Sequence, residues 1–258
     1  MVEEFTSKDF IEFLESFREE IYTDEHFRKH NLFDKITEIS RKDGGKREPL
    51  IEREFKMFSL DDMCHACNLL KTNTPKTTDA LFYKKNDDET LSLYFIEFKY
   101  HNLDNPDWKD TFDTIVDEIN ASTNKNKFKC ISKYKYQLTK IKQYYGDEVE
   151  HKLILKPIES IEIVVPALYE EYCQKEDESQ KDIKTYLKNV EKRVFVFVSD
   201  YSPKGKENIN KNRGQTSGDK LNMYYDRLKQ GNLIDYYKIY HRDDWDNFIK
   251  EEQLVEIR

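Results

Sequence analysis

The sequence lacks the long apolar runs and the signal pattern that direct a chain into or across a membrane. No apolar run approaches the ~18 to 20 residues that a transmembrane helix needs. The N-terminal stretch MVEEFTSKDF is acidic and has no apolar core, which is unlike a secretory signal. We therefore expect a cytoplasmic protein without a membrane partner.

Cysteine is scarce as well, with four residues in the chain. Cys64 and Cys67 have the spacing of a zinc knuckle, but a structural zinc site normally needs a second pair of ligands at similar spacing. Cys130 and Cys173 are isolated from each other and from any nearby histidine. The pattern favours buried thiols on a helix over a zinc site.

Positive charge is outnumbered, because 43 Lys and Arg residues face 51 Asp and Glu residues and give a net charge of −8. This balance argues against strong non-specific binding to nucleic acid, which depends on phosphate contacts. The distribution is uneven, however, since residues 121–146 contain lysines and aromatic residues but no acid. We predict that this basic segment binds nucleic acid, with a solvated helix face as the alternative. Its lysines are Lys125, Lys127, Lys129, Lys133, Lys135, Lys140 and Lys142.

The chain has enough apolar bulk for a substantial core. Charged residues make up 36% and hydrophobic residues 37%, and 17 Tyr and 16 Phe residues add volume, so general disorder is not expected. We divide the chain into an N-terminal helical region, residues 1–47, packed on a core domain, residues 48–258.

Hydrophobic periodicity predicts an alternation of helices and strands. Residues 48–70 fit a helix broken near Ser59 or, in their first part, a strand. The other predicted elements are helices at 7–22, 24–41, 110–121, 128–145, 174–192, 219–230 and 243–252, a hairpin at 79–99, strands at 160–165, 193–199 and 233–240, and a polar loop at 201–219. Strand 193–199 is apolar on both faces and should lie parallel to the hairpin's second strand after a helical crossover. The predicted fold is α/β, a central mixed β-sheet flanked by helices with an N-terminal helical extension.

The hairpin brings chemically useful side chains to one end of the sheet. Glu97 and Lys99 are two residues apart at the end of an apolar strand, so they point to the same face. If the turn is centred near residues 87 and 88, Asp79 lies opposite Ile96 or Glu97. Two carboxylates and a lysine at one sheet end are suited to metal-assisted cleavage of a phosphodiester.

In this chemistry Asp79 and Glu97 would bind Mg²⁺ (or Mn²⁺) through oxygen, and the metal would lower the pKa of a bound water. Lys99 would orient that water or offset negative charge. An acid-x-Lys triplet alone is weak support, because the chain contains four others, which end at Lys56, Lys109, Lys152 and Lys184. A strand end with an ordinary salt bridge is the alternative.

With these residues in place, the chain resembles the PD-(D/E)xK nucleases, the restriction-endonuclease-like superfamily that includes archaeal Holliday-junction resolvases and RecB-type nuclease domains. The resemblance covers roughly residues 50–200 and departs from the family pattern at Thr78, where the family has proline. It implies a restriction-endonuclease-like core and a Mg²⁺-dependent nuclease acting on DNA, with RNA and a homodimer left open.

The resemblance also implies further site residues. The backbone carbonyl of Phe98 would complete the metal site, and an upstream acid would join it, with Glu54 as the first candidate and Glu38 and Glu52 as alternatives. The Gln and Tyr of the RecB-type members would correspond to Gln137 or Gln143 with Tyr144. A module on the same scaffold that binds nucleic acid or protein without catalysis is the alternative function.

Overall fold

The computed structural model describes residues 4–41, 48–67, 69, 76–99, 153–199 and 217–255, without the side chains of 217–221. The basic segment Lys125–Lys142, the predicted helices at 110–121 and 128–145, and most of the loop 201–219 lie outside these residues. Within them, no helix is both long and apolar enough to cross a membrane.

The described elements alternate between short helices and strands. The strands are β1 (Ile21–Thr23), β2 (Lys29–Asn31), β3 (Phe33–Lys35), β4 (Lys56–Ser59), β5 (Ala80–Lys85), β6 (Leu91–Lys99), β7 (Lys192–Ser199) and β8 (Tyr236–His241). The helices are α1 (Ser7–Glu15), α2 (Ile36–Ile39), α3 (Leu60–Ala66), α4 (Val165–Glu176), α5 (Ile183–Asn189), α6 (Ser217–Gln230) and α7 (Trp245–Glu251). Residues 153–159 are also helical and run through a π-helical turn, Ser160–Val164, into α4.

Six of the described strands form one mixed sheet in the order β3-β4-β5-β6-β7-β8. The first four strands pair antiparallel, whereas β6, β7 and β8 run parallel. A central mixed sheet flanked by helices was the predicted architecture, and the structure confirms it. The apolar strand 193–199 is also confirmed as buried and parallel to the second hairpin strand.

Side-chain alternation along the strands divides the core into two layers. One face of the sheet, with Phe95 and Phe195, packs against α1, α3, α4, α5 and α6. The opposite face, with Ile96 and Val196, packs against Trp245 and Phe248 of α7. Glu97 and Lys99 have the same alternation as Phe95, so they belong to the face covered by the larger helical layer.

The N-terminal region differs from the prediction. The helix predicted at 7–22 ends at Glu15, and its last residues belong to β1. The helix predicted at 24–41 is wrong, because β2 and β3 lie within that stretch and only Ile36–Ile39 is helical. Strand β3 joins the main sheet by pairing with β4. The region from α1 to α2 therefore supplies an edge strand as well as a packed helix.

Two further predictions need correction. Residues 160–165 were expected to form a strand but are helical, with Ile161, Val164 and Val165 buried and Ile163 exposed, which is the three-to-four spacing of a helix face. The charged helix predicted at 174–192 is instead the end of α4, a connection and the short α5.

The cysteines behave as predicted where they are described. Cys64 is buried on α3, and burial raises the pKa of its thiol well above the ordinary value. Cys67 ends the same helix and is half-buried. Cys64, Cys67 and Cys173 are free thiols. The preference for buried thiols on a helix is confirmed for Cys64 and for Cys173, which is buried on α4.

Candidate active site

The hairpin register places Asp79 and Glu97 side by side. Ala80 pairs with Ile96, and Lys85 pairs with Leu91, so the residue before Ala80 lies opposite Glu97, as one of the two predicted registers requires. The Asp79 carboxylate turns back on the hairpin, where its Oδ2 accepts a hydrogen bond of 2.6 Å from the backbone N–H of Phe98. Asp79 is thereby fixed by the same strand that carries the other two groups.

Glu97 is the most confined charged group of the site. Its side chain has 0% exposure, which is unusual for a carboxylate because burial removes its hydration. Lys99 lies on the same face of β6, with its Nζ 2.8 Å from Glu97 Oε1. This contact is an ion pair without hydrogen-bond alignment, and Glu97 Oε1 has no aligned donor among the described residues.

A second lysine, which the sequence analysis did not single out, completes the cluster. Lys156 Nζ lies 2.6 Å from Glu97 Oε2 and 3.6 Å from Asp79 Oδ1, so one ammonium contacts both carboxylates. Lys156 stands alone in the apolar stretch Leu153-Ile154-Leu155-Lys156-Pro157-Ile158. A lone charge in an apolar stretch indicates a buried cation that needs an anionic partner, and this signal could have found it.

Thr78 holds the helical residues 153–159, which include Lys156, against the hairpin. Its backbone N–H donates a hydrogen bond of 2.9 Å to Ser160 Oγ, at the π-helical turn, and its hydroxyl lies 3.3 Å from the same atom. A proline at this position would lack the N–H and could not make the first bond. Thr78 therefore helps to position the helix of Lys156.

Burial and charge oppose each other in the cluster. Burial raises the pKa of the Glu97 carboxyl to about 7, the charge of Asp79 adds to the rise, and Lys99 and Lys156 counteract it. For Lys156, burial favours the neutral amine, but the carboxylates of Asp79 and Glu97 outweigh it and raise the pKa above its ordinary value. Lys156 therefore stays cationic, and Glu97 is the group that titrates near neutral pH.

Tyr225 of α6 is a further buried polar group near the site. Its ring packs on Phe195 with centroids 4.9 Å apart, and its hydroxyl has no hydrogen-bond partner in the described part of the chain. Burial raises its pKa, and the negative charge of Glu97 raises it further. No sequence pattern pointed to this residue.

Asp79 opens onto a cleft of about 430 Å³ between the main sheet and the β1–β2 hairpin. The cleft has cationic residues and several carboxylates in its wall. Its lining residues are Arg28, Lys29, His30, Asp34, Glu38, Ile39, Arg41, Ser59, Asp61, Asp62 and Asp79. A substrate that reaches Asp79 through this cleft would pass both kinds of charge.

The cleft bears on the choice of the upstream acid. Glu38 of α2 lines the cleft together with Asp79. Glu54 does not line it, since its side chain is 79% exposed and forms an ion pair with Lys35. The geometry favours Glu38, one of the two alternatives, over Glu54, the first candidate, and Glu52 does not line the cleft either.

Some of the predicted site residues lie within the part of the chain that the structure describes, and others lie outside it. Asp79, Glu97 and Lys99 are brought together, and Phe98 is positioned by its N–H bond to Asp79. Gln137, Gln143, Tyr144 and the basic segment lie outside the described residues. No set of three or more His, Cys, Asp or Glu side chains suited to a metal ion occurs within the described ranges.

Comparison of the chain with protein-family models, with curated proteins and with solved structures gave no match. The function is therefore inferred from the geometry and chemistry of the site.

The buried Glu97 predicts a specific dependence of stability on pH in metal-free buffer. Its pKa is about 7 in the folded chain against 4.5 for the unperturbed side chain. The folded state therefore binds the proton more tightly, so this contribution to stability is complete below pH 4.5 and is lost as the pH rises to about 7. Glu97→Gln cannot lose a proton, so its free energy of unfolding relative to wild type should rise across this window by an amount on the order of 3 kcal/mol.

Urea denaturation of both proteins across this pH range measures the difference. Glu54→Gln is the matched control, because its carboxylate is largely exposed, and its difference from wild type should stay nearly constant. A difference between Glu97→Gln and wild type that does not change with pH would contradict the assignment of Glu97 as the titrating group.

Proposed function

We propose that the protein is a Mg²⁺-dependent (or Mn²⁺-dependent) nuclease that hydrolyses phosphodiester bonds of DNA, in defence, restriction, recombination or repair. The observation that carries this proposal is the convergence of Asp79, Glu97 and Lys99 at one end of the sheet, with Glu97 fully buried. A buried carboxylate beside a second carboxylate is unfavourable without a cation. Such an arrangement is expected where a cation is part of the working site.

The two carboxylates of the site suit a Mg²⁺ ion whose other ligands are water and substrate oxygens. Mg²⁺ is usually held by one or two carboxylates together with waters and phosphate oxygens, so a complete protein cage is not required. Asp79 and Glu97 supply the two carboxylates, and Glu97 Oε1, which lacks an aligned donor among the described residues, has capacity to accept one more partner. The backbone carbonyl of Phe98 would be the third protein ligand, as the family resemblance implies.

When bound, the metal would supply Lewis-acid activation of water and neutralisation of phosphate charge. The protein residues have separate tasks. Asp79 and Glu97 fix the position of the cation, and the N–H of Phe98 keeps Asp79 in its orientation. Lys99, which is partly exposed and tethered by Glu97, would donate a hydrogen bond from Nζ to the attacking water or to a phosphate oxygen.

The order of elements also agrees with a restriction-endonuclease-like core. The antiparallel pair β5–β6 carries the three groups, and β7 follows as a parallel neighbour of β6. This arrangement supports the proposal that the chain shares the core of the PD-(D/E)xK nucleases. The proposal includes a cytoplasmic location and DNA as the substrate, as expected from the sequence.

One observation favours the alternative, a module on the same scaffold that binds nucleic acid or protein without catalysis. Lys156 contacts both carboxylates, and an ammonium in this position can satisfy them without a metal. In that case the cluster would be a buried ion-pair network with a structural role. The two functions differ in whether Mg²⁺ changes the behaviour of the chain.

A cleavage assay on a panel of DNA forms separates the two functions. The panel contains linear, circular, branched and single-stranded DNA with a single-stranded RNA for comparison, each incubated with Mg²⁺, Mn²⁺ or EDTA. We expect strand cleavage of at least one DNA form with Mg²⁺ or Mn²⁺ and none with EDTA. Intact substrate under every condition would favour the non-catalytic module.

A further inference from the structure

The tip of the β1–β2 hairpin presents an aromatic side chain to solvent. Phe27 is 89% exposed, and its backbone has φ of 60°, in the left-handed region that non-glycine residues rarely adopt. Glycine or asparagine would occupy this position at less steric cost. A large apolar residue here benefits neither the core nor the turn, which points to a role at the surface.

The turn that carries Phe27 is held by several hydrogen bonds. The Asp24 carboxylate accepts bonds of 2.8 Å from the N–H of His26 and 2.9 Å from the N–H of Arg28, and the N–H of Phe27 donates to the Asp24 carbonyl at 2.9 Å. The hairpin itself is anchored to α3, where the Tyr22 ring stacks on His65 with centroids 5.9 Å apart. The aromatic ring is therefore presented from a fixed turn.

The residues after Phe27 lead into the cleft onto which Asp79 opens. Arg28, Lys29 and His30 follow Phe27 directly, and all three line the cleft that contains Asp79. Arg41 adds a fourth basic side chain to the wall. Arg28 and His30 already pair with Asp24, at 2.7 Å and 3.3 Å, so Lys29 is the member of this row that the proposal assigns to phosphate. An exposed ring followed by basic side chains has the two components of a surface for single-stranded nucleic acid, a stacking platform and a contact for phosphates.

The carboxylates of the cleft limit what can enter it. Asp34, Glu38, Asp61 and Asp62 would repel a phosphate chain. Part of this negative charge is already paired. Arg41 Nε lies 3.4 Å from Glu38 Oε2, and His30 Nδ1 lies 3.4 Å from Asp62 Oδ1. A divalent cation at the site would offset more of it, so binding through the cleft should strengthen when a divalent cation is present.

We propose that the β1–β2 hairpin is a contact for an unpaired nucleotide, whose base stacks on Phe27 while neighbouring phosphates contact Lys29 and Arg41. The proposal rests on the nuclease function for its substrate class. It narrows that class to DNA with single-stranded or branched character, because an isolated ring can stack only on a base that has left the duplex stack. A protein partner is disfavoured, because the exposed ring is followed by a row of basic residues that suits phosphates.

Equilibrium binding tests this contact without any need for cleavage. The full chain carrying Lys99→Ala is titrated, in Ca²⁺, into fluorescently labelled single-stranded, branched and fully duplex DNA, and anisotropy is recorded. Adding Phe27→Ala should weaken binding to single-stranded and branched DNA by roughly 5-fold to 150-fold, because stacking of one base is worth ~1–3 kcal/mol. Binding to the fully duplex DNA should change little.

Three further variants distinguish stacking from general apolar contact and from misfolding. Phe27→Trp should keep or improve the affinity, whereas Phe27→Leu should lose it. Ile21→Ala removes another exposed apolar side chain from the same hairpin and should bind like the parent.

The affinities of the Phe27 variants separate this inference from the nuclease proposal. Loss of affinity in Phe27→Ala and Phe27→Leu, with Phe27→Trp retained, supports the contact even if the wild-type chain never cleaves DNA. Equal affinities for all Phe27 variants would overturn it, even in an active nuclease. Absence of nucleic-acid binding by the parent would also overturn it and leave a protein partner as the occupant of the hairpin tip.

Discussion

Lys99→Ala should lower the single-turnover rate of DNA cleavage by at least ~10²- to 10³-fold while Mg²⁺ affinity is retained, since loss of one group that stabilises the transition state has an effect of this size. Asp79→Asn and Glu97→Gln should lose the rate and also weaken Mg²⁺ binding, because these carboxylates hold the metal. Single-turnover cleavage and Mg²⁺ titration, carried out on the same variants, separate the two effects. The double variant Asp79→Asn with Lys99→Ala should be little slower than either single variant, because groups that act as a unit are not additive.

Lys85→Ala is the matched control. Lys85 lies at the other end of the same hairpin and pairs with Glu89 at the surface, so its loss should leave the rate unchanged. Circular dichroism checks that each variant keeps the fold. A Lys99→Ala protein that cleaves like wild type would show that the lysine is not part of the chemistry.

Lys156→Met should destabilise the metal-free protein by ~3–5 kcal/mol above the pKa of Glu97, because removal of one partner leaves a buried carboxylate poorly compensated. Methionine keeps most of the side-chain length, so the loss of charge dominates over the loss of packing. The destabilisation should shrink at lower pH, where Glu97 is protonated. It should also shrink in Mg²⁺, and Mg²⁺ affinity should rise, because the ammonium no longer competes for the two carboxylates.

Denaturant unfolding with and without Mg²⁺ measures these effects, and a double-mutant cycle with Glu97→Gln isolates the coupling between the two residues. Lys188→Met, on the exposed side of α5, is the control and should change stability little. If Lys156→Met raised neither the Mg²⁺ affinity nor the stabilisation by Mg²⁺, the ammonium and the metal would not share a position. That result would favour the structural ion-pair network.

The hairpin and its register could be predicted from the sequence because each depends on a local pattern. Six residues of β5 pair with β6 in one uninterrupted ladder, and the polar turn between them has a single plausible centre. Once the register is set, the alternation of side chains along a strand puts Glu97 and Lys99 on one face without further information. The double-sided apolar pattern of 193–199 likewise indicated a buried parallel neighbour.

The strands near the N-terminus could not be predicted from the sequence, for a physical reason. β1, β2 and β3 have three residues each, which is too few for an alternation pattern to be read. Leu32, Ile36 and Ile39 have spacings that also fit a helix, although Leu32 lies between two strands. The turn depends on the Asp24 side chain, whose bonds to the backbone compete with helix formation.

Lys156 was missed because its role depends on a contact between distant parts of the chain. The ion pair with Glu97 spans 59 residues, and the Thr78–Ser160 bond that supports it spans 82. Sequence reasoning can mark a lone lysine in an apolar stretch as a buried cation, but it cannot choose the carboxylate. The choice between Glu54 and Glu38 could not be made from the sequence for a similar reason. Only the tertiary structure shows which of the two acids lines the cleft.

The most direct test of the site is the effect of Glu97→Gln on Mg²⁺-dependent cleavage, measured on the DNA form that wild type cleaves fastest. Glutamine keeps the size and shape of the buried side chain and removes only the charge that would hold the cation. We predict cleavage by the wild type in Mg²⁺, none in EDTA, and a loss of at least ~10²-fold in the variant although it remains folded. Cleavage by Glu97→Gln at the wild-type rate would contradict a metal-dependent active site at this end of the sheet.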